Sequence, residues 1–343
     1  MSSHEAQVEV GARSETGYVR EENQDRMSGS RVTLGHLYIV ADGMGGHKGG
    51  AFAADLTVYG LQLHVDKAPA DSSVKEVIQA AFKDTNEIVY RRAHSGDPTI
   101  EGMGSTAVLL LISGRVARVA HVGDSRAYLY RKGRLKQLTT DHTIVQKMVQ
   151  AGILKPKEAV DHPNSNVLDR AIGNKPSVEV DISNELPLND GDAILLCSDG
   201  LSGYIADPEI KSVLRSQAAV QEIPDRLVEL ALQKGGKDNV TVQFIQYGTR
   251  KEAQSIKAKA LGRKNSVSAP KPWRPLSQAA VAFVLGAAIS AAVFYGYLQV
   301  VESDFRKNES GLRTELDNKK ESLGKAETEL ANTSTWLNQV QKE

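Results

Sequence analysis

The sequence predicts an α+β fold in which antiparallel strands form layers covered by helices. Two observations predict it. Short runs rich in Val, Ile, Leu and Tyr follow one another across tight turn signals, and longer stretches of helical periodicity fall between these clusters. Strands that cluster in this way favour antiparallel layers over a doubly wound parallel sheet.

In chain order, the strand candidates are Leu37–Val40, Thr106–Ile112, Val116–Val122, Ala127–Tyr130, Val178–Ile182, Ala193–Cys197 and Val240–Gln246. The segments SGR at 113–115, GDSR at 123–126 and RKGR at 131–134 read as hairpin turns between consecutive strands. The helix candidates are Gly50–Leu63, Val74–His94, Thr143–Ala151, Asp207–Ser216 and Gln221–Gln233. In the second of these, apolar residues at 74, 77, 78, 81, 82, 88 and 89 fall on one helical stripe.

With 343 residues the chain can hold one large domain or two smaller ones with appendages. Its net charge of zero conceals a division: residues 1–249 carry about −5, residues 250–275 carry +7 and residues 276–343 carry −2. The lone cysteine, Cys197, rules out an intrachain disulfide framework and fits a reducing compartment. The polar start MSSHEAQVEV has no apolar segment of the kind a secretory signal needs.

Four modules follow from these shifts. Residues 1–247 form the main domain. Residues 248–275 are a basic linker with Ser and three prolines. Residues 276–301 contain no charge, and the 23 residues from Ala279 to Val301 make about 34 Å of helix, enough to cross a bilayer. The alternative is a buried globular helix, but its flanks are a basic linker and a charged tail. Trp273, Tyr295 and Tyr297 lie toward its ends, where aromatic rings favour the membrane interface. The preceding basic block would face the cytoplasm and be drawn to anionic lipid. Residues 302–343 repeat Leu316, Leu323, Leu330 and Leu337 at a spacing of seven with a poor second seam. They read either as a short coiled coil that could dimerise outside the membrane or as a solvated helical tail.

The chemistry is suggested by three aspartates in Gly-rich surroundings: Asp42 in ADGMGGHKGG, Asp199 in LLCSDGLSG and Asp238 in GGKDNVTV. Each abuts an apolar run. An Asp-Gly pair alone is ordinarily a turn, but three carboxylates at the mouths of strands distant in sequence are a means of gathering oxygen ligands for hard divalent cations. Two such ions would suit hydrolysis of a phosphate ester by water, with Asp42 bridging and the Gly43 carbonyl contributing. A cysteine phosphatase needs Cys-x5-Arg, but Gly203 stands where the arginine would be. A nucleotide P-loop fails because Lys48 is followed by Gly49. The basic run lacks interleaved aromatic residues and abuts the apolar segment, so nucleic-acid binding is not expected.

Residues 7–247 resemble the bacterial metal-dependent protein phosphatases (PPM, or type 2C, serine/threonine phosphatases). The resemblance rests on GYVREENQD at 17–25, VADGMGGH at 40–47, GST at 104–106, VGDSR at 122–126, LTTDH at 138–142, SDGL at 198–201 and KDNVT at 237–241. It implies a four-layer α-β-β-α sandwich of two antiparallel sheets, followed here by the C-terminal transmembrane helix. It implies two Mn²⁺ or Mg²⁺ ions, with Asp42 bridging them, the Gly43 carbonyl on one, and Asp199 and Asp238 on the other. Arg20 would hold the substrate phosphate, and Asp25 would support the water shell of an ion. Asp124 would bind a third, weaker ion shared with Asp199; the alternative is a hairpin-turn aspartate paired with Arg126. Gln24 stands where many relatives have glutamate, and Met44 where many have a histidine. His47 is then either a general acid or a loop residue without catalytic role. Residues 143–173 resemble the flap that borders the site, with Ser165 and Asn166 near the third ion. The implied activity is dephosphorylation of phosphoserine and phosphothreonine in cytoplasmic proteins, opposing a Ser/Thr kinase. The alternative is a non-catalytic membrane receptor or docking module, against which the full acidic set argues.

Overall fold

The computed structural model describes residues 8–45, 49–159, 162–216 and 218–248. The first elements are β1 (Val8–Glu15), β2 (Asp25–Val32), β3 (Gly35–Met44), α1 (Gly49–Asp66) and α2 (Val74–Ala93). The strands β4 (Gly104–Ser105), β5 (Ala107–Ser113), β6 (Val116–Val122), β7 (Arg126–Arg131) and β8 (Arg134–Gln137) follow. Then come α3 (Ile144–Gln150), α4 (Pro156–Ala159), β9 (Asp181–Ile182), β10 (Leu186–Pro187) and β11 (Ala193–Cys197). The last are α5 (Asp199–Ser202), α6 (Asp207–Arg215), α7 (Glu222–Gln233) and β12 (Val240–Tyr247).

Two antiparallel sheets result, one ordered β1-β12-β11-β7-β8 and the other β10-β6-β5-β3-β2, with β4 and β9 at the margins. Strand side chains alternate between faces, and the burial follows that alternation. Tyr38, Val40, Val108, Leu110 and Ile112 of the second sheet meet Ala127, Leu129, Ile194, Leu196 and Ile245 of the first in one core. On the outer face of the first sheet, Tyr128, Leu195, Cys197 and Phe244 pack with Ile210, Leu214, Leu227 and Val228 of α6 and α7. On the other side α1 lies against β2 and β3, with α2 beside it. Each fully buried large apolar side chain contributes about 1.5–3 kcal/mol relative to exposure, so these continuous layers fix both sheet registers. The α-β-β-α arrangement expected from the sequence is the arrangement found.

Several local expectations need correction. GDSR at 123–126 is not a hairpin. β6 pairs with β5 while β7 pairs with β11 and β8, so these residues carry the chain from one sheet to the other. Of the three expected turns, the other two are hairpins, closed at Ser113↔Val116 and Arg131↔Arg134. In the latter, Lys132 and Gly133 both have positive φ (49° and 75°), as a two-residue turn between twisted strands requires. The strand expected over 178–182 shortens to Asp181–Ile182; upstream the backbone is met by side chains, with Arg170 donating to the Glu179 carbonyl (3.3 Å). Asn86 of α2 donates to the carbonyls of Lys175 and Pro176 (3.0 and 3.3 Å) and accepts from Gly173 N–H.

The strands β1 and β2 escaped the sequence reading. β2, DRMSGSRV, is polar because its outer face meets polar groups of α1: Arg26 bonds Asp55 (2.6 Å), and Ser28 bonds Gln62. Among the described residues, no helix is long and apolar enough to cross a membrane. The segment 276–301, the linker after residue 248 and the tail 302–343 lie outside the described residues.

Candidate metal centre

The inter-sheet face that carries apolar side chains along the strands carries carboxyl groups where the strands end. Val40 lies in the inter-sheet core and Met27 packs against it. Two residues along from each, Asp42 and Asp25 share that face, directly opposite one another in the β2–β3 pairing. Asp199 begins α5 just beyond β11. The carboxyl groups of Asp42 and Asp199 are within hydrogen-bonding reach of each other. Asp124, on the crossing between sheets, is 9% exposed and feels Asp199 as its strongest charged neighbour.

Burial is the largest influence on all four carboxyl groups. It lifts Asp25 to about 7, against hydrogen bonds from Ser198 and Thr241, and Asp199 and Asp238 push it further the same way. Burial raises Asp42 and Asp124 well above the usual carboxylate range. Repulsion from Asp25, Asp199 and Asp124 adds to the rise at Asp42. Asp199 is raised by burial and then by Asp238. Like charges gathered out of water oppose their own ionisation, and a cation between them reverses that opposition.

The neighbouring protein cations are already engaged. Arg126 bonds Asp141 through three contacts of 2.6–3.1 Å and also reaches the Tyr128 hydroxyl. The hydrogen bonds of Arg126 thus go to Asp141 and Tyr128, while its charge also acts on Asp124. Arg20 bonds Asp238 at 2.9 Å, and Asp42 and Asp199 also act on its charge.

The structure thus brings Arg20, Asp25, Asp42, Asp124, Asp199 and Asp238 to one end of the sandwich. His47 lies outside the described residues. Ser165 and Asn166 bond each other (3.2 Å) on the flap, and among the described contacts neither reaches the acidic group. Cys197 is fully buried in β11, and burial pushes its thiol up to about 12, as befits a core residue.

Gly43 has a reason beyond room for an ion. A Cβ there would stand 2.0 Å from the Gly50 carbonyl oxygen and 2.9 Å from that of Gln24. Gly43→Ala would drive α1 away from β3. We expect a loss of about 3 kcal/mol or more, seen as a lower urea midpoint in metal-free protein.

Several polar residues that hold the carboxylates were quoted within motifs but given no role. Ser198 donates to Asp25 Oδ2 (2.7 Å) and accepts from Thr241 N–H (3.0 Å). Thr106 Oγ1 accepts from Asp42 N–H (3.0 Å) and shares a hydrogen bond with Ser125 (2.7 Å). Asn239 donates to the carbonyls of Thr16 and Glu22 (both 2.9 Å) and accepts from Gln24 N–H, so it clamps the loop bearing Arg20 to the loop bearing Asp238. Their signal was adjacency to an assigned aspartate; their partners were not legible.

A second group, His121, His142 and Asp181, has ligand atoms within 4.8 Å of one another. Its hydrogen bonds make it a brace. Gly123 N–H donates to His142 Nδ1 (3.2 Å), which leaves the proton on Nε2, buried 3.4 Å from Asp181 Oδ2 without a formed hydrogen bond. A metal on Nε2 would need that proton moved to Nδ1, against the Gly123 N–H. Burial, then His121 and Arg170, lower His142 to about 4, so it is neutral near pH 7. Its carbonyl accepts from Asp169 N–H (2.8 Å), tying the Asp124 crossing to the flap.

Whether the acidic group suits divalent ions can be judged from the structure. Asp25 Oδ1 and Asp199 Oδ1 are buried without a hydrogen-bond partner. Buried, unpartnered, mutually repelling carboxylate oxygens are the donor set that hard cations take. The residues fit.

Comparison with known proteins agrees. A family model described as protein phosphatase 2C matches residues 18–242. The serine/threonine protein phosphatase PstP of Mycobacterium tuberculosis is 38% identical over 239 residues, covering 68% of this chain and 44% of that protein. This chain therefore spans less than half the length of that relative. The serine/threonine phosphatase stp of Listeria innocua is 32% identical over 238 residues, covering 68% of this chain and 94% of that protein. The crystal structure of M. tuberculosis PstP superposes with a TM-score of 0.65 at 36% identity, over 71% of this chain and 99% of that one. The PstP catalytic domain in complex with 2 manganese ions gives 0.62 at 34% identity, over 71% and 99% of the chains. The chain belongs to the protein phosphatase 2C family.

Proposed function

We propose that this chain hydrolyses phosphoserine and phosphothreonine in proteins, with Mn²⁺ or Mg²⁺ held by Asp42, Asp199, Asp238, Asp124 and the Gly43 carbonyl. The observation that carries it is the convergence of these side chains and Arg20 at one end of the sandwich. Such ions, when bound, make water a nucleophile near neutral pH and offset the charge of the phosphate. Arg20 receives the phosphate through its planar guanidinium, exchanging its bond to Asp238 for one to substrate. Asp25, opposite Asp42 and oriented by Ser198, would offer its unpartnered Oδ1 to the water shell of an ion. Asn239 keeps Arg20 and Asp238 in register. His47 is a candidate to protonate the leaving oxygen.

Substrates of this kind are made by phosphoryl transfer to Ser and Thr, so the activity opposes a Ser/Thr kinase. The uncharged run 276–301 behind a block of charge +7 supports a single membrane span with residues 1–275 on the cytoplasmic side and the tail outside. The leucine heptads at 316–337 support dimerisation through that tail. Crosslinking in membranes, with and without residues 302–343, tests the dimer: monomer in both cases removes it.

The activity is tested with p-nitrophenyl phosphate and a phosphothreonine peptide, using the full chain in detergent. Turnover should require Mn²⁺ or Mg²⁺ and stop with EDTA. Undiminished turnover in EDTA, or none with any divalent ion, would refute it.

A further inference from the structure

Among the described residues the exposed large apolar side chains are Val10, Tyr18, Val19, Ile153 and Val167. Tyr18 and Val19 are the adjacent pair, 72% and 66% exposed, and they immediately precede Arg20. Single exposed apolar residues are ordinary, whereas neighbouring ones beside a ligand-binding group are not.

This pair is held outward by a fixed backbone. Tyr18 N–H donates to the Gly236 carbonyl at 2.7 Å. The Tyr18 ring lies on Gly236, where an added Cβ would be 2.9 Å from Cδ2. Gly17, with φ of +80°, packs so closely on the Asp238 carbonyl that a Cβ would stand 2.4 Å from it. Asn239 ties both ends of the segment, at Thr16 and Glu22. Arg20 is joined to Asp238 from the same loop. The segment that bears the two apolar side chains is thus held in a fixed backbone, immediately before the phosphate-binding Arg20 in the chain. A surface turn with no partner would be served as well by polar residues.

We infer that Tyr18 and Val19 form an apolar step for the polypeptide substrate, receiving an apolar side chain next to the phosphorylated residue. This rests on the phosphatase reading above and extends it to substrate choice. The occupant follows from the place of the pair. With the phosphate on Arg20, the residues flanking the phosphorylated one must cross the surface around that arginine, and Tyr18 and Val19 are its exposed apolar neighbours in the chain. That contact would remove apolar surface on both sides from water. Among the described hydrogen bonds and ion pairs neither residue joins the acidic side chains, so the step adds discrimination without taking part in the reaction.

The test uses the full chain with Mn²⁺ and two phosphothreonine peptides that differ only in Leu or Gly on either side of the phosphothreonine. The wild-type kcat/KM should favour the Leu peptide by about tenfold. The double variant Tyr18→Ser, Val19→Ser should bring that ratio close to one, with the Gly peptide unchanged within about twofold. Val19→Thr alone, close in shape, should give an intermediate ratio. A wild-type ratio near one, a double variant that keeps the preference, or an equal loss on both peptides would overturn the step. Hydrolysis of neither peptide by the wild type, with p-nitrophenyl phosphate also untouched, would overturn the phosphatase reading and the step with it. That outcome is distinct from a lost preference.

Discussion

Asp42→Asn is expected to lower kcat for p-nitrophenyl phosphate by about a thousandfold or more, equivalent to about 4 kcal/mol of transition-state stabilisation. Asn has the same shape, so Thr106 and Ser105 keep their bonds to the Asp42 backbone, and the fold should survive. The same substitution should raise the melting temperature of the metal-free protein at alkaline pH, because an amide cannot ionise where burial and the charges of Asp25, Asp199 and Asp124 oppose ionisation. Loss of activity with a gain in metal-free stability separates a binding role from a structural one. Loss of both would assign Asp42 to the core.

Metal-free protein should lose stability as pH rises from about 6.5 through neutrality. Asp25 rises to about 7 in the fold, and Asp42 and Asp124 stand well above the carboxylate range, each chiefly through burial. The ordinary value for an unfolded aspartate is about 3.9. Between the two values the folded state holds more protons than the unfolded state, so stability falls as pH rises through that window. His121 and His142 act in the opposite direction, since burial lowers both. Their effect is complete once pH passes the unfolded histidine value of about 6.5, which is why the window starts there. In EDTA the melting temperature should therefore fall across that range. In excess Mn²⁺ the slope should flatten or reverse, because ions bind the ionised carboxylates. A flat profile in EDTA would contradict the placement of these acids in one buried group.

Where the sequence was legible, local pattern and tertiary demand coincided. β3, β11 and β12 are apolar runs because both faces are covered, and each abuts an aspartate assigned from its surroundings. β2 was hidden because its outward polar groups find side-chain partners on α1, whose Asp55 is 29 residues from Arg26. The GDSR crossing was misread because Gly, Asp and Ser serve a hairpin and a change of sheet equally well. What distinguishes them is the partner of β7, which is β11, far along the chain. The same limit hid the supports of the site. Ser198 reaches Asp25 across 173 positions and Asn239 reaches Thr16 across 223. Residue type announces a ligand, but the group that orients it is fixed by topology.

The central claim is that the carboxylates of Asp42, Asp199 and Asp238 together hold divalent ions. It is tested most directly by counting Mn²⁺ ions bound at equilibrium to the full chain, by calorimetry or electron paramagnetic resonance, for the wild type, Asp42→Asn and Asp199→Asn. The wild type should bind at least two ions, and each variant should lose at least one of them while remaining folded. Equal stoichiometry and affinity in all three proteins would place the ions elsewhere and contradict the account.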